Sequence, residues 1–230
     1  VLTNHLSASA SEILAAVIQD YARGVVVGEK RTFGKGSAQN MWSLKGSLYN
    51  LGVPEPGGIK VTRSKFYRVN GQSTQLEGVR PDIVFDSFNE HKDIGEAFNG
   101  HPLTHDEIDP SAYSVDVKIK RLLPKLRRAS NKRRAANPDF KNLGEHIQTF
   151  ARQQKRKKHS LNEFERWKQH LKHKKLDLKD IKRYALDGAP PPKNTPPEER
   201  KKRKDIYLDE SINVLLDIIA IKSKRMPNGH

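Results

Sequence analysis

The spacing of apolar residues changes period several times along the chain. Ile13, Leu14, Val17 and Ile18 recur at helical spacing and predict a helix over Ile13–Tyr21, with these four on one face. Val1–Leu6 reads as a short strand entering a turn, and Gly24–Gly28 as a second short apolar strand. Asn40–Leu51 mixes apolar and polar residues and reads as extended, and Val53–Gly58 is a turn cluster. Ile59–Tyr67 alternates, with Ile59, Val61 and Arg63 on one side of a half-exposed strand. Asn70-Gly71 is a strong hairpin signal, Gln72–Val79 returns, and Ile83-Val84-Phe85 follows Pro81 as another strand.

From Asp86 to Pro110 the chain is polar and predicts a loop; beyond it the period becomes helical. Asp116–Arg128 places Val117, Leu122, Leu123 and Leu126 at apolar positions, with Pro124 kinking or ending the helix. Asn137-Pro138 starts a helix to about Lys158, carrying Phe140, Leu143, Ile147 and Phe150. Ser160–Glu163 starts a third, carrying Leu161, Phe164, Trp167 and Leu171. Gly188–Pro197 is a proline-rich linker. Asp209–Ile221 is a last helix, expected to dock through Ile212, Leu215, Leu216, Ile219 and Ala220. The fold class expected is mixed α+β. Residues 1–90 form a core of strands with one helix, 91–115 connect, and 116–230 form a helical domain with linker 188–197 and docking helix 208–222.

Charge sharpens this division. The 230 residues carry a net +16, yet residues 118–204 hold 29 Lys or Arg against 9 Asp or Glu, a net of +20. The remaining residues hold 14 against 18, a net of −4. The basicity therefore belongs to the helical part. With Trp167 and Tyr184 it invites a nucleic-acid reading. Runs of like charge are more often solvated helix surface, and that reading is favoured here. Anionic lipid or envelope polymers stay open as partners. The absence of cysteine excludes disulfides and thiolate metal sites. No apolar run approaches the roughly 20 residues of a membrane span. No signal peptide opens the chain, and Val1-Leu2-Thr3 reads as the end of a strand, so the chain is expected to begin in mid-fold.

Candidate chemistry concentrates in residues 7–39. Ser9-Ala10-Ser11-Glu12 fits the capping box, with Ser9 at the N-cap and Glu12 reaching back to its N–H. That sets a hydroxyl at the positive end of a helix, where N–H groups can stabilise an oxyanion. By itself the hexapeptide reads best as a plain cap. Lys35, between Gly34 and Gly36, changes the balance. Serine is a weak nucleophile without a base. A lysine taken out of water gives up its charge more easily and can be that base. Ser-Lys is a known variant of the triad. The alternative is an anion-binding glycine loop of the P-loop kind, but the Walker pattern is not met, because Gly36 rather than Ser or Thr follows Lys35. His101 and His105 are four apart, but Pro102 lies between them, and they read as loop histidines rather than metal ligands. A triad of Ser9 with His105 and Asp106 is possible in principle; Ser-Lys explains more residues.

These residues resemble the carboxy-terminal processing peptidases, and among them the tail-specific proteases. The likeness rests on Ser7–Glu12, Gln19-Asp20-Tyr21, Val26–Glu29 and Thr32–Gln39. It continues through Lys65–Gly71, Ser73-Thr74-Gln75, Gly78–Val84 and, more diffusely, Asp205–Glu210 with the helix after it. One departure is visible: Gly28–Thr32 carries one residue more than the usual G-E-x-T. The resemblance implies that Ser9 is the nucleophile, Lys35 the base, Gln39 the residue that orients it, and the Ala10 N–H an oxyanion donor. It implies no cofactor or metal, protein substrates with apolar C-termini, an envelope adaptor protein as a possible partner, and a periplasmic or envelope location. It also implies a PDZ domain and an upstream oxyanion segment that these residues do not match, so the chain is expected to be a fragment that is inactive alone. The alternative is a non-catalytic basic module that binds nucleic acid or anionic envelope polymers.

Overall fold

The computed structural model describes residues 1–45, 55–158, 160–168, 171 and 205–223. The end of the 40–51 stretch, the start of the 53–58 turn, Tyr184 and the linker 188–197 lie outside the described residues. The chain divides into two compact units. One holds Val1, Thr3–Val84 and Lys92–Arg121; the other holds Leu2, Phe85–His91 and Leu122–His230. Helices and strands are mixed, in keeping with the α+β class. Among the described residues no helix is long and apolar enough to cross a membrane.

Strands β1 (Leu2–Thr3), β2 (Val27–Glu29) and β5 (Ile83–Phe85) form one sheet in the order β1-β2-β5. Strands β3 (Ser37–Ser43) and β4 (Gly58–Lys65) form a separate antiparallel pair. Helix α1 (Ala10–Asp20) joins β1 to β2. Its buried face differs from the one its large residues predict. Ala15 and Ala16 pack with Val26 and Val79, with Ile18 against them, and Glu12 is buried beside them. Ile13, Leu14 and Val17 are 41–56% exposed. The reason is steric: alanine ends at Cβ and lets the helix backbone settle close to Val26 and Val79.

The far end of α1 is pinned by charge. Arg68 Nε donates to Asp20 Oδ2 at 3.0 Å, and its Nη2 donates to Gln19 Oε1 at 2.9 Å and to Asp20 Oδ1. Gln19 donates in turn to the Arg80 carbonyl and to Asp82, whose carboxylate accepts the Val26 N–H. The expected Asn70-Gly71 turn forms: Gly71 N–H meets the Arg68 carbonyl at 2.9 Å, and Tyr67 bridges Ser73. Gly71 has φ +88°, and a Cβ there would lie 2.0 Å from the Ile108 carbonyl oxygen. The polar stretch 86–110 contains two 3-10 turns, Phe88–His91 and Glu96–Phe98.

Helices α2 (Val117–Lys120) and α3 (Leu123–Ala136) take the place of one helix over 116–128. Pro124 sits in the first turn of α3, where a missing N–H costs nothing, so it opens a helix rather than kinking one. In the second unit α4 (Pro138–Gln154) is capped by Asn137, which accepts the Asp139 N–H at 2.8 Å. Helix α5 (Ile206–Ser223) is capped by Asp205, which accepts from Tyr207 and Leu208 at 3.0 Å. Leu143, Ile147 and Ile206 form a core with Phe88, Phe140 and Tyr207 against it. Helix α5 docks through Ile206, Glu210 and Val214; Ile212, Leu215, Leu216 and Ile219 are 46–56% exposed. The buried Glu210 takes Arg133 through both carboxylate oxygens, and Arg133 also reaches Asp217 at 2.8 Å. That ion pair sets the docked face.

Candidate active site

The turn that delivers Ser9 is built by Asn4. Its Oδ1 accepts the N–H groups of Leu6 and Ser7 at 3.0 Å and the Ser7 hydroxyl at 3.2 Å. Ser9 then adopts φ 55°, ψ −113°, a left-handed φ that costs a non-glycine residue about 1–3 kcal/mol. The capping box is in place, though the serine half falls short of a full hydrogen bond: the Glu12 N–H goes to the Ser9 carbonyl at 2.9 Å. Ala10 is the first residue of α1, so its N–H has no carbonyl one turn back within the helix.

Glu12 does more than cap. Its Oε2 accepts the Ser9 N–H at 2.8 Å and the Lys35 N–H at 2.9 Å. Its Oε1 accepts the Thr32 hydroxyl at 2.5 Å and the Gly34 N–H at 2.7 Å. One carboxylate thus holds the serine turn and the lysine loop together. Burial pushes the Glu12 carboxyl above its ordinary value, and the four hydrogen bonds pull against that rise. Two further ties run between the same segments. Phe33 N–H donates to the Ser7 carbonyl at 2.9 Å. The buried His5 meets Glu29 Oε2 through both its N–H, at 2.8 Å, and its ring Nδ1, at 2.7 Å.

The lysine loop needs both of its glycines. Gly34 has φ +90°, and Gly36 lies so close to Gln75 that a Cβ would sit 2.5 Å from the Gln75 nitrogen. The fully buried Gln75 accepts the Gly36 N–H at 2.9 Å and donates to the Leu103 carbonyl at 3.0 Å. Thr32 accepts the Val79 N–H on the oxygen that donates to Glu12. From this loop the half-buried Lys35 extends Nζ to Gln39 Oε1 at 3.1 Å. Among the described residues no hydrogen bond joins Lys35 Nζ to the Ser9 hydroxyl. The structure therefore brings Lys35 to Gln39 side chain to side chain, and Ser9 to Lys35 through their backbones. Asp106, the acid of the histidine alternative, is engaged by Lys65 at 3.0 Å and by the Tyr67 hydroxyl at 3.1 Å.

Sequence reasoning missed Glu12 as a clamp, along with Thr32, Gln75 and the His5–Glu29 pair. The S-x-x-E pattern is the local signal for Glu12, and it does not distinguish a cap from a hub. The other three are read only when segments distant in sequence meet.

Residues 1–85 match the family described as peptidase family S41, and residues 89–220 match the family described as C-terminal domain of tail specific protease. A tail-specific protease of Haemophilus influenzae is 35% identical over 99% of this chain and 33% of its own length. A carboxy-terminal-processing protease of Bartonella bacilliformis is 35% identical over 45% of this chain and 20% of its own. A solved structure titled photosystem II D1 C-terminal processing protease is 37% identical, with TM-score 0.30, over 37% of this chain and 20% of its own. The chain spans about a third of the length of the Haemophilus protein, and the two family matches follow each other over nearly all of it. The chain belongs to the tail-specific proteases of peptidase family S41.

Proposed function

We propose that this chain carries the catalytic dyad of a serine endopeptidase, with Ser9 as nucleophile and Lys35 as base, acting in a full-length protein longer than these residues. The shared Glu12 oxygen carries the reading: Ser9 and Lys35 hang from one buried acceptor. The left-handed φ of Ser9 supports it, since backbone strain gathers where a reacting group must be presented. Ser9 Oγ attacks a peptide carbonyl carbon, and the Lys35 amine takes the hydroxyl proton as general base. The oxyanion is held by the Ala10 N–H at the start of α1. The C–N bond breaks, and Lys35 returns the proton to the leaving amine. Water then attacks the acyl-enzyme with Lys35 again as base, releasing Ser9. Gln39 holds Nζ in place. Apo hydrogen bonds in such sites are often long and tighten only with substrate, which accommodates the unformed Ser9–Lys35 bond.

The substrates proposed are proteins read by apolar C-termini, in the periplasm or envelope, with an adaptor protein as a possible partner. Residues 1–90 would form the later part of the peptidase core, 91–115 a connection and 116–230 a basic helical domain. A fluorophosphonate probe tests the dyad. Labelling of the full-length protein, abolished by Ser9→Ala and by Lys35→Ala, is the expected result. Labelling that survives Ser9→Ala would overturn it.

A further inference from the structure

We propose that Thr62 is a positioning residue for the base: it holds the Gln39 carboxamide against Lys35 and so forms the outer end of a Lys35–Gln39–Thr62 chain. The inference rests on the dyad reading above and extends it to a residue on the neighbouring strand.

Gln39 lies on β3, whose side chains are exposed from Ala38 onward. A long amide side chain on an open strand gains little from any single contact and has water as an alternative partner. Something must keep it over Lys35. In the antiparallel pair Gln39 stands opposite Thr62. Directly opposed residues share a face, with Cβ atoms about 5 Å apart. Gln39 Nε2 donates to Thr62 Oγ1 at 3.4 Å, while Gln39 Oε1 accepts from Lys35 Nζ at 3.1 Å. Both ends of the carboxamide are therefore engaged, one by the base and one by the facing strand.

The register makes this possible. The β3–β4 ladder runs Ser37↔Lys65 and Ala38↔Ser64, then Gln39↔Thr62, with an irregularity between Ala38 and Gln39 that leaves Arg63 without a counterpart. With that residue paired in a regular ladder, Arg63 would face Gln39, and a cationic side chain would sit where a hydroxyl acceptor is needed. Bulges re-aim side chains beside active sites in this manner. The hydroxyl is the working part: Thr62 Oγ1 accepts an N–H, which neither an apolar nor a cationic side chain can do.

Thr62→Val keeps the shape and strand preference and removes the acceptor; Thr62→Ser keeps the acceptor. Steady-state cleavage of an internally quenched peptide ending in apolar residues would be measured in the full-length protein. Expected is a fall of about three- to tenfold in kcat for Thr62→Val with KM unchanged, recovery in Thr62→Ser, and no further fall when Thr62→Val is added to Gln39→Ala. Unchanged kcat in Thr62→Val would overturn the inference. So would an equal loss in Thr62→Ser, or full additivity with Gln39→Ala, since either would mark a structural role. Ser9→Ala and Lys35→Ala separate the two levels: if both abolish cleavage while Thr62→Val does not reduce it, the dyad stands and only this extension fails. Cleavage surviving either control would remove both.

Discussion

At Glu12 a carboxylate sealed from water accepts hydrogen bonds from four groups, and its substitution separates shape from charge. Glu12→Gln keeps the size but sets an NH2 against at least one of the four donors. Leaving a buried donor unmet costs about 1–3 kcal/mol, so kcat/KM of the full-length protein should fall at least about fivefold. The pH dependence has a definite sign. The folded-state pKa of Glu12 is raised by burial, so its contribution to stability is present at acid pH and is lost as pH rises through that folded value. A glutamine carries no such loss. Thermal denaturation of the Glu12→Gln variant and the parent between pH 4 and 7 should show the difference in Tm moving in favour of the variant as pH rises; a difference moving the other way would contradict the assigned shift. Gly36→Ala acts at the same scale by a different route. Its Cβ would meet Gln75 backbone at 2.5 Å, so the lysine loop must move. Loss of probe labelling at Ser9, with the unfolding midpoint lowered by about 1–3 kcal/mol of stability, is expected.

Two helices bury a glutamate where their patterns advertise leucine and isoleucine. Helix α1 turns Glu12, Ala15 and Ala16 inward, and α5 turns in Ile206, Glu210 and Val214. In both, periodicity located the helix and misjudged its face. The buried acid counts as polar in any hydropathy pattern, and most of its partners, the Thr32 hydroxyl with the Gly34 and Lys35 amides in one case and Arg133 in the other, lie 20 residues or more away in sequence. Motifs such as Ser7–Glu12 and Thr32–Gln39 were legible because their geometry is local. The β-bulge at Ala38/Gln39 and the role of Gln75 were not, because pairing register and close backbone approach are set between segments. Arg133→Met tests the second helix. It leaves Glu210, 3% exposed, without its cation. Breaking a buried pair costs about 3–5 kcal/mol, discounted here to about 2–3 because the Arg133 side chain is 32% exposed. Circular dichroism should show an earlier thermal transition, and Glu210→Gln added to Arg133→Met should recover part of it.

At the scale of the whole chain, charge and candidate chemistry fall in different stretches of sequence. The residues that gather around Glu12 lie in a part of the chain with a net negative charge, while residues 118–204 carry a net of +20. Screening over a Debye length of about 8 Å at physiological salt makes binding through so many like charges sensitive to ionic strength. Retention on an anionic polymer column should fall steeply between 50 and 300 mM salt, by roughly tenfold or more. Replacing Lys155, Arg156, Lys157 and Lys158 with glutamine should weaken it without altering labelling at Ser9. Equal retention by that variant would show that the exposed basic run does not govern binding.

The convergence on Glu12 also bears on the order of events during synthesis. One of its partners stands 3 residues before it and the others 20, 22 and 23 residues after it. The carboxylate cannot be satisfied until the loop of that length has closed, and the serine turn and the lysine loop have no other common acceptor among these bonds. A ribosome-bound or half-folded chain would therefore hold the hydroxyl and the amine as unrelated groups on a polymer. In the proposed enzyme the nucleophile and its base are thus brought together only in molecules in which this loop has closed.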